Sequence, residues 1–263
     1  MADDLQDEGG GSGPAPSERR LRVDVVRPGV ALVVMDRAHK RNAMDPAFFR
    51  QLIAVMGALG ADPAVRACVL TGAGPAFSAG GDIASFAELR GPEDHRRQLA
   101  LVFDAFRSVE RAELAVVAAV NGLAYAGGLE LVLACDLAVA AEGARFAFRE
   151  VAVGLMPAFG MLRAPLRIGE GWTRHLVLTG DDVDAATAER IGLVQRVVPG
   201  DQVVGAALDV AERIAAHPPM AVAMAKQIAT MGVQQRDPAA REATAVLFGT
   251  PEHRAAVERF LAR

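Results

Sequence analysis

The sequence predicts an α/β core followed by an all-helical C-terminal region, and three observations predict it. Two short apolar runs, Val65–Thr71 and Ala115–Val120, have the length and β-branched content of buried strands. Each runs into a glycine-rich loop and then into helical material, Gly72–Asp82 after the first and Asn121–Gly128 after the second. From Asp201 onward the apolar spacing is almost wholly helical. The 263 residues suffice for one large domain with an appendage, or for two small domains. Aromatic residues make up only 5% of the chain, so the core must be built from Ala, Val and Leu.

In chain order, Met1 to about Glu18 is acidic and then rich in Gly, Ser and Pro; residues 1–18 read as a disordered tail, without the features of a signal peptide. Leu21, Val23 and Val25 alternate with Arg22 and Asp24, Pro28-Gly29 turns the chain, and Val30–Met35 completes a hairpin. Asp45-Pro46 pairs a capping side chain with a proline at the first helical position. The helix runs to about Leu59 with Phe49, Leu52, Ile53, Met56 and Leu59 as its apolar stripe. After Val65–Thr71 and its loop, helical sequence spans about Ile83 to Arg111 with a break near Gly91-Pro92. Ala115–Val120 and the second loop lead to an apolar helix, Leu129–Cys135, and a short strand, Leu137–Ala141. Four helices follow at Asp201–Ala216, Pro219–Met231, Pro238–Phe248 and Pro251–Arg263, separated by proline signals. The expected organisation is therefore a tail at 1–18, an α/β core at 19–200 and a helical region at 201–263.

Composition excludes several function classes. A net charge of −4 and a pI near 5.8 give no general attraction to nucleic acid or anionic lipid. The richest apolar stretch, Leu114–Val120, stops at Asn121-Gly122, too short to span a membrane. A soluble cytoplasmic protein is expected. Cys68 and Cys135 read as buried free thiols, and no cysteine or histidine spacing marks a metal site. His39, His95, His175, His217 and His253 are scattered and are expected to share no site. Ser78 lacks the spacing of a hydrolase elbow, and no GxGxxG follows a strand, so no nicotinamide or flavin cofactor is expected.

The two glycine loops and two glutamates carry the chemistry. Both loops follow buried strands and lead into helices, so each can present free backbone N–H groups at a helix N-terminus. Two such donors converging on one oxygen form an oxyanion hole. A turn needing positive φ explains a lone Gly-Gly pair, but two such loops with Glu130 three residues after Gly127 are more specific. That spacing sets Glu130 on the face of Gly127. Its rival role is a buried ion pair; for Glu150, preceded by Arg149, the rival is a surface pair.

These residues resemble the crotonase (enoyl-CoA hydratase/isomerase) superfamily from about Val30 to about Pro199, and more weakly beyond. Asp36–Met44 is similar to the family's first coenzyme A loop, Phe77–Ile83 to the second, and Ala118–Glu130 to the segment bearing the second oxyanion donor. Phe146–Gly154 and Leu178–Pro199 also read as family segments. The resemblance implies a spiral of repeated ββα units with a C-terminal helical oligomerisation region, assembling as a homotrimer or dimer of trimers. It implies oxyanion donors at Gly81 and Gly127, and a water held between Glu130 and Glu150. It further implies coenzyme A contacts at Lys40, Arg41, Ala43, Ala79, Gly80, Asp82 and Ile83. Lys40 and Arg41 are the local charges for its phosphates; their bland reading is a solvated turn. Coenzyme A is then part of the acyl-CoA substrate rather than a fixed cofactor.

Three departures stand out. Ala126 replaces a frequent third glycine, which preserves the turn if φ there is negative. Arg149 replaces a frequent proline and, so close, favours ionised Glu150. Pro157–Arg163 lacks the usual Pro-Gly-x-Gly-Gly run, which puts the acyl group in doubt more than hydration. The implied activity is addition of water to a 2-enoyl-CoA. The alternative is isomerisation, decarboxylation or thioester hydrolysis at the same site; isomerases can work with one carboxylate. A binding protein on this scaffold would need a basic face, and the helix from Pro46 carries only Arg50.

Overall fold

The computed structural model describes residues 19–87, 89–230 and 237–262, so the expected tail at 1–18 lies outside the described residues. The chain begins with β1 (Leu21–Arg27) and β2 (Val30–Met35), the antiparallel hairpin that alternation predicted, with Leu21 opposite Met35. Next comes α1 (Pro46–Ala61): Asp45 accepts from the Phe48 amide at 2.9 Å, Pro46 opens the helix, and Phe49, Leu52, Met56 and Leu59 are buried.

Three units of related design follow. In the first, β3 (Ala67–Gly72) and β4 (Ala76–Ser78) lead to α2 (Ile83–Ala87) and α3 (Pro92–Arg111). In the second, β5 (Ala115–Val120) and β6 (Leu123–Tyr125) lead to α4 (Gly127–Ala134). In the third, β7 (Leu137–Ala141) and β8 (Arg145–Ala147) lead through a 3-10 turn at Glu150–Val153 to α5 (Gly160–Thr179). The chain continues through β9 (Asp182–Asp184), α6 (Ala185–Arg190) and β10 (Arg196–Val198). The helices α7 (Val203–Ala215), α8 (Pro219–Thr230), α9 (Asp237–Phe248) and α10 (Pro251–Leu261) complete it.

Within each unit the first strand joins one sheet and the second joins another. The larger sheet has the order β1-β2-β3-β5-β7-β10, parallel from β2 onward; the smaller has the order β4-β6-β8-β9. This is the spiral of ββα units that the family resemblance implied. The three-residue strands inside the glycine loops escaped the sequence reading because their partners come from the neighbouring unit.

The central strands are buried on both faces, and alternation divides their side chains between two cores. Val116, Ala118 and Val120 of β5 join Cys68 and Leu70 of β3 in the main core, towards α1, α3 and α4. Ala115, Val117 and Ala119 face the opposite way, onto Ala207, Ala211 and Ala215 of α7. Small residues on both sides let α7 lie close to the sheet. The two cysteines are free and buried as expected, and burial pushes the Cys68 thiol up to about 12. Among the described residues, no helix is long and apolar enough to cross a membrane.

Candidate active site

The two glycine loops meet. Asn42, buried and at φ 55°, fastens the first: its Nδ2 donates to the carbonyls of Ala73 (2.9 Å) and Ala76 (2.8 Å), and its Oδ1 accepts from the Arg37 amide (3.0 Å). Met44 N donates to Gly80 O and Asp82 N to Met44 O, each at 2.8 Å, so Gly81 is bracketed by a short ladder. In the second loop, Ala126 N donates to Ala147 O at 2.8 Å and Gly127 opens α4. Among the described residues, neither the Gly81 nor the Gly127 amide donates to a protein acceptor. The two are neighbours: a methyl built on Gly127 lies 3.6 Å from the Gly81 nitrogen. A side chain at Gly128 would strike the Ser78 carbonyl, which is why glycine is needed where the loops press together.

Ala126 corrects one expectation. Its φ is 50° and its ψ −125°, not the negative φ that would accommodate alanine freely. A non-glycine residue in such a region costs of the order of 1–3 kcal/mol. Ala126→Gly is therefore expected to stabilise the fold by about 1 kcal/mol, the relief being partly offset by glycine's freedom in the unfolded chain. A shift of the denaturant midpoint to higher concentration checks this; an unmoved midpoint would mean an unstrained turn.

One turn into α4, Glu130 is the sole polar side chain of an otherwise apolar helix and is only 7% exposed. Its Oε1 accepts from the Gly160 amide at 2.8 Å. Burial raises its carboxyl to about 7, against the opposing pull of the Gly160 and Phe159 amides and the Arg163 charge. No salt bridge to Glu130 occurs among the described residues; Arg163 makes a two-point pair with Glu110 instead, both contacts at 2.8 Å.

Glu150 opens the 3-10 turn, half-buried as a residue, but its Oε2 is buried and has no hydrogen-bond partner among the described residues. Burial first, and then the charge of Glu130, push this carboxyl well above the ordinary carboxylate range. The two acids therefore titrate as a pair. Arg149 departs from expectation. Its guanidinium donates to Gly180 O at 2.8 Å, lies 3.6 Å from Asp182 and covers the Tyr125 ring at 5.1 Å; only its backbone amide helps to ionise Glu150.

Gly81, Gly127, Glu130 and Glu150 all line one cavity of about 340 Å³. Of the residues expected at coenzyme A, Arg41, Ala79 and Ile83 also line it, whereas Lys40, Ala43, Gly80 and Asp82 do not. Lys40 is exposed on a 3-10 turn (Ala38–Lys40), and Asp82 is taken up by Arg37 at 2.6 Å. Tyr125 lines the cavity; Trp172 packs against the core beside His175.

Sequence reasoning missed most of the apolar wall. Seven of the chain's 11 phenylalanines line the cavity, from α1, α2, α3, the start of α5 and the last two helices. Aromatic scarcity was the available signal: the few rings are concentrated in one place. The histidines are not all scattered either. His95 stacks on Phe248 with centroids 4.9 Å apart, and His253 meets the same ring edge-on at 5.0 Å, with His253 lining the cavity.

This arrangement has relatives. Residues 26–262 match the enoyl-CoA hydratase/isomerase family. The chain is 36% identical over 207 residues to the short-chain-enoyl-CoA hydratase of Clostridium acetobutylicum, covering 78% of this chain and 79% of the relative. It is 36% identical over 222 residues to the crotonyl-CoA hydratase of Syntrophomonas wolfei, covering 84% and 85%. Among solved structures, an enoyl-CoA hydratase/isomerase from Xanthobacter autotrophicus superposes with a TM-score of 0.86 at 31% identity, over 93% of each chain. With paired glycine loops on a ββα spiral and a match spanning nearly all of its described residues, the chain belongs to the enoyl-CoA hydratase/isomerase, or crotonase, family.

Proposed function

We propose that this protein adds water across the 2,3 double bond of an enoyl-CoA to give a 3-hydroxyacyl-CoA. The observation that carries the reading is the convergence, in one apolar cavity, of two amides that are unpaired among the described residues and two buried carboxyls of raised pKa. The Gly81 and Gly127 amides hold the thioester oxygen. As hydroxyl bonds to C3, negative charge passes through the enolate to that oxygen, and fixed donors stabilise it more than the ground-state carbonyl. The positive end of α4 adds to the effect.

Glu130 and Glu150 hold the attacking water. Between them they take one proton from it and deliver one to C2, so water is consumed and no other reactant is needed. Two like charges buried side by side favour a state in which the pair keeps a proton near neutral pH, and this is the state the reaction requires. The acid and base roles belong to the pair.

Arg41 and Arg149, both at the cavity, supply positive charge for the coenzyme A handle. The aromatic wall receives the acyl group. The reading includes a cytoplasmic homotrimer or dimer of trimers. Met220, Met224 and Ile228, exposed at four-residue spacing on α8, support self-association through one helix face. The second reading, double-bond isomerisation at the same oxyanion site, is favoured by the family's breadth, but it needs only one of the two carboxyls.

The test is a series of 2-enoyl-CoAs of increasing acyl size given to purified protein. The conjugated thioester absorbance should fall and 3-hydroxyacyl-CoA should appear. Absence of turnover across the whole series would sink the hydratase reading.

A further inference from the structure

The 3-10 turn that carries Glu150 is held from two directions. On one side the Arg149 side chain anchors it to Gly180 and Asp182. On the other, the His253 Nδ1 of α10 lies 2.7 Å from the Val153 carbonyl, the last residue of the turn. A carbonyl oxygen only accepts, so Nδ1 must carry the proton in this contact. That proton is present in the neutral Nδ1–H tautomer and in the imidazolium alike, so the bond does not depend on the charge of the ring.

His253 is itself fixed. It is buried, its backbone amide donates to the Thr250 hydroxyl at 3.2 Å, and its ring meets Phe248 edge-on. The turn is compact: the Gly154 amide bonds back to the Glu150 and Val151 carbonyls, and the Leu155 amide to that of Glu150 at 2.9 Å. A displacement at Val153 is therefore passed to Glu150. Meanwhile Glu150 Oε2 has no hydrogen-bond partner among the described residues.

We propose that His253 is a positioning residue for Glu150, its Nδ1–H bond to Val153 keeping the Glu150 carboxyl aimed into the cavity. The inference rests on the reading in which Glu150 takes part in hydration. It makes the last helix part of the reaction machinery, joined to it by one hydrogen bond. Misplacement of a reacting group by about 1 Å costs of the order of 100-fold in rate.

The test compares His253→Ala, His253→Asn and His253→Gln in the full-length protein, alongside Glu150→Gln. An asparagine amide nitrogen occupies the place of Nδ1, whereas glutamine reaches the place of Nε2, although glutamine is nearer histidine in size. His253→Ala and His253→Gln are expected to lose about 100-fold in kcat with KM for the enoyl-CoA little changed. His253→Asn is expected to recover most of that loss. A packing role would make glutamine the better substitute. Equal losses in all three, a better rescue by glutamine, or wild-type kcat in all three would overturn the proposal. If Glu150→Gln itself turns over normally, the proposal falls with the reading of Glu150. If Glu150→Gln is inactive while the His253 variants are not, the proposal alone falls.

Discussion

Glu150→Gln is expected to lower kcat for hydration by about 10²- to 10⁴-fold, and Glu130→Gln by a similar factor. Glutamine keeps the shape of the carboxyl but neither takes nor gives the proton that the water and C2 exchange. In Glu130→Gln the side-chain oxygen can still accept from Gly160, so the start of α5 stays in place and the loss reports chemistry. Steady-state rates on the best enoyl-CoA, with KM measured alongside, check both. Loss of hydration in Glu130→Gln with normal turnover in Glu150→Gln would mean that one carboxyl suffices and would remove Glu150 from the reaction.

The same variant should gain stability as it loses activity. Burial holds the Glu130 carboxyl at about 7, above its ordinary 4.5, so the folded chain binds this proton more tightly than the unfolded chain does. Below 4.5 both states are protonated and the acid has no pH-dependent cost. As pH rises from 4.5 through about 7, the unfolded chain releases the proton first and stability is lost, up to about 3 kcal/mol. Glu130→Gln is therefore expected to melt above the wild type at pH 8, the difference vanishing near pH 4.5. A difference that does not change with pH would mean that the carboxyl is not held protonated.

The second large effect is expected at Lys226. It lies on α8, within the range Pro219–Met231 that the proline signals marked as helical. In the structure its side chain is 4% exposed, and its Nζ reaches Asp136 Oδ2 (2.8 Å) and the carbonyls of Val109 (2.8 Å) and Leu114 (2.9 Å). This pins α8 to the end of α3 and the start of β5. Lys226→Met removes one member of a largely buried pair and leaves Asp136 and two carbonyls without their donor. Such a change costs about 3–5 kcal/mol. The lower end applies here, because the Asp136 side chain keeps 22% of its exposure and still accepts from the Val116 amide. Chemical denaturation checks the loss. Adding Asp136→Asn to Lys226→Met should restore part of it, since the uncompensated charge is then gone; strictly additive losses would argue against the pairing.

How much of this could be read without coordinates follows from how far each signal reaches along the chain. Asp45-Pro46 starts α1 because a cap and a proline act within one turn, and β3 and β5 stand out because both faces of each strand are buried. Glu130 was likewise local: a lone acid in an apolar helix, three residues from Gly127, has few other uses. The family resemblance added Glu150 and the spiral, which periodicity alone did not carry. What lay beyond the sequence is everything fixed by partners distant in the chain. The three-residue strands β4, β6 and β8 are too short for a period and exist through parallel neighbours. The positive φ of Ala126, the turning of Arg149 towards Gly180, and the buried Lys226 were each decided by the group that packing brought alongside. So was the meeting of His253 with Val153.

The sequence by itself determined an α/β core with paired glycine loops, a helical C-terminal stretch and a lone acid, Glu130, in an apolar helix three residues from Gly127. Only the tertiary structure decided what shares a cavity with Glu130 and Glu150: two amides unpaired among the described residues, a phenylalanine-rich wall and a histidine from the last helix. The physical reason is that caps and periodicities act within a few residues. Desolvation, by contrast, depends on every element that closes over the site, and it is desolvation that chiefly raises the two carboxyls.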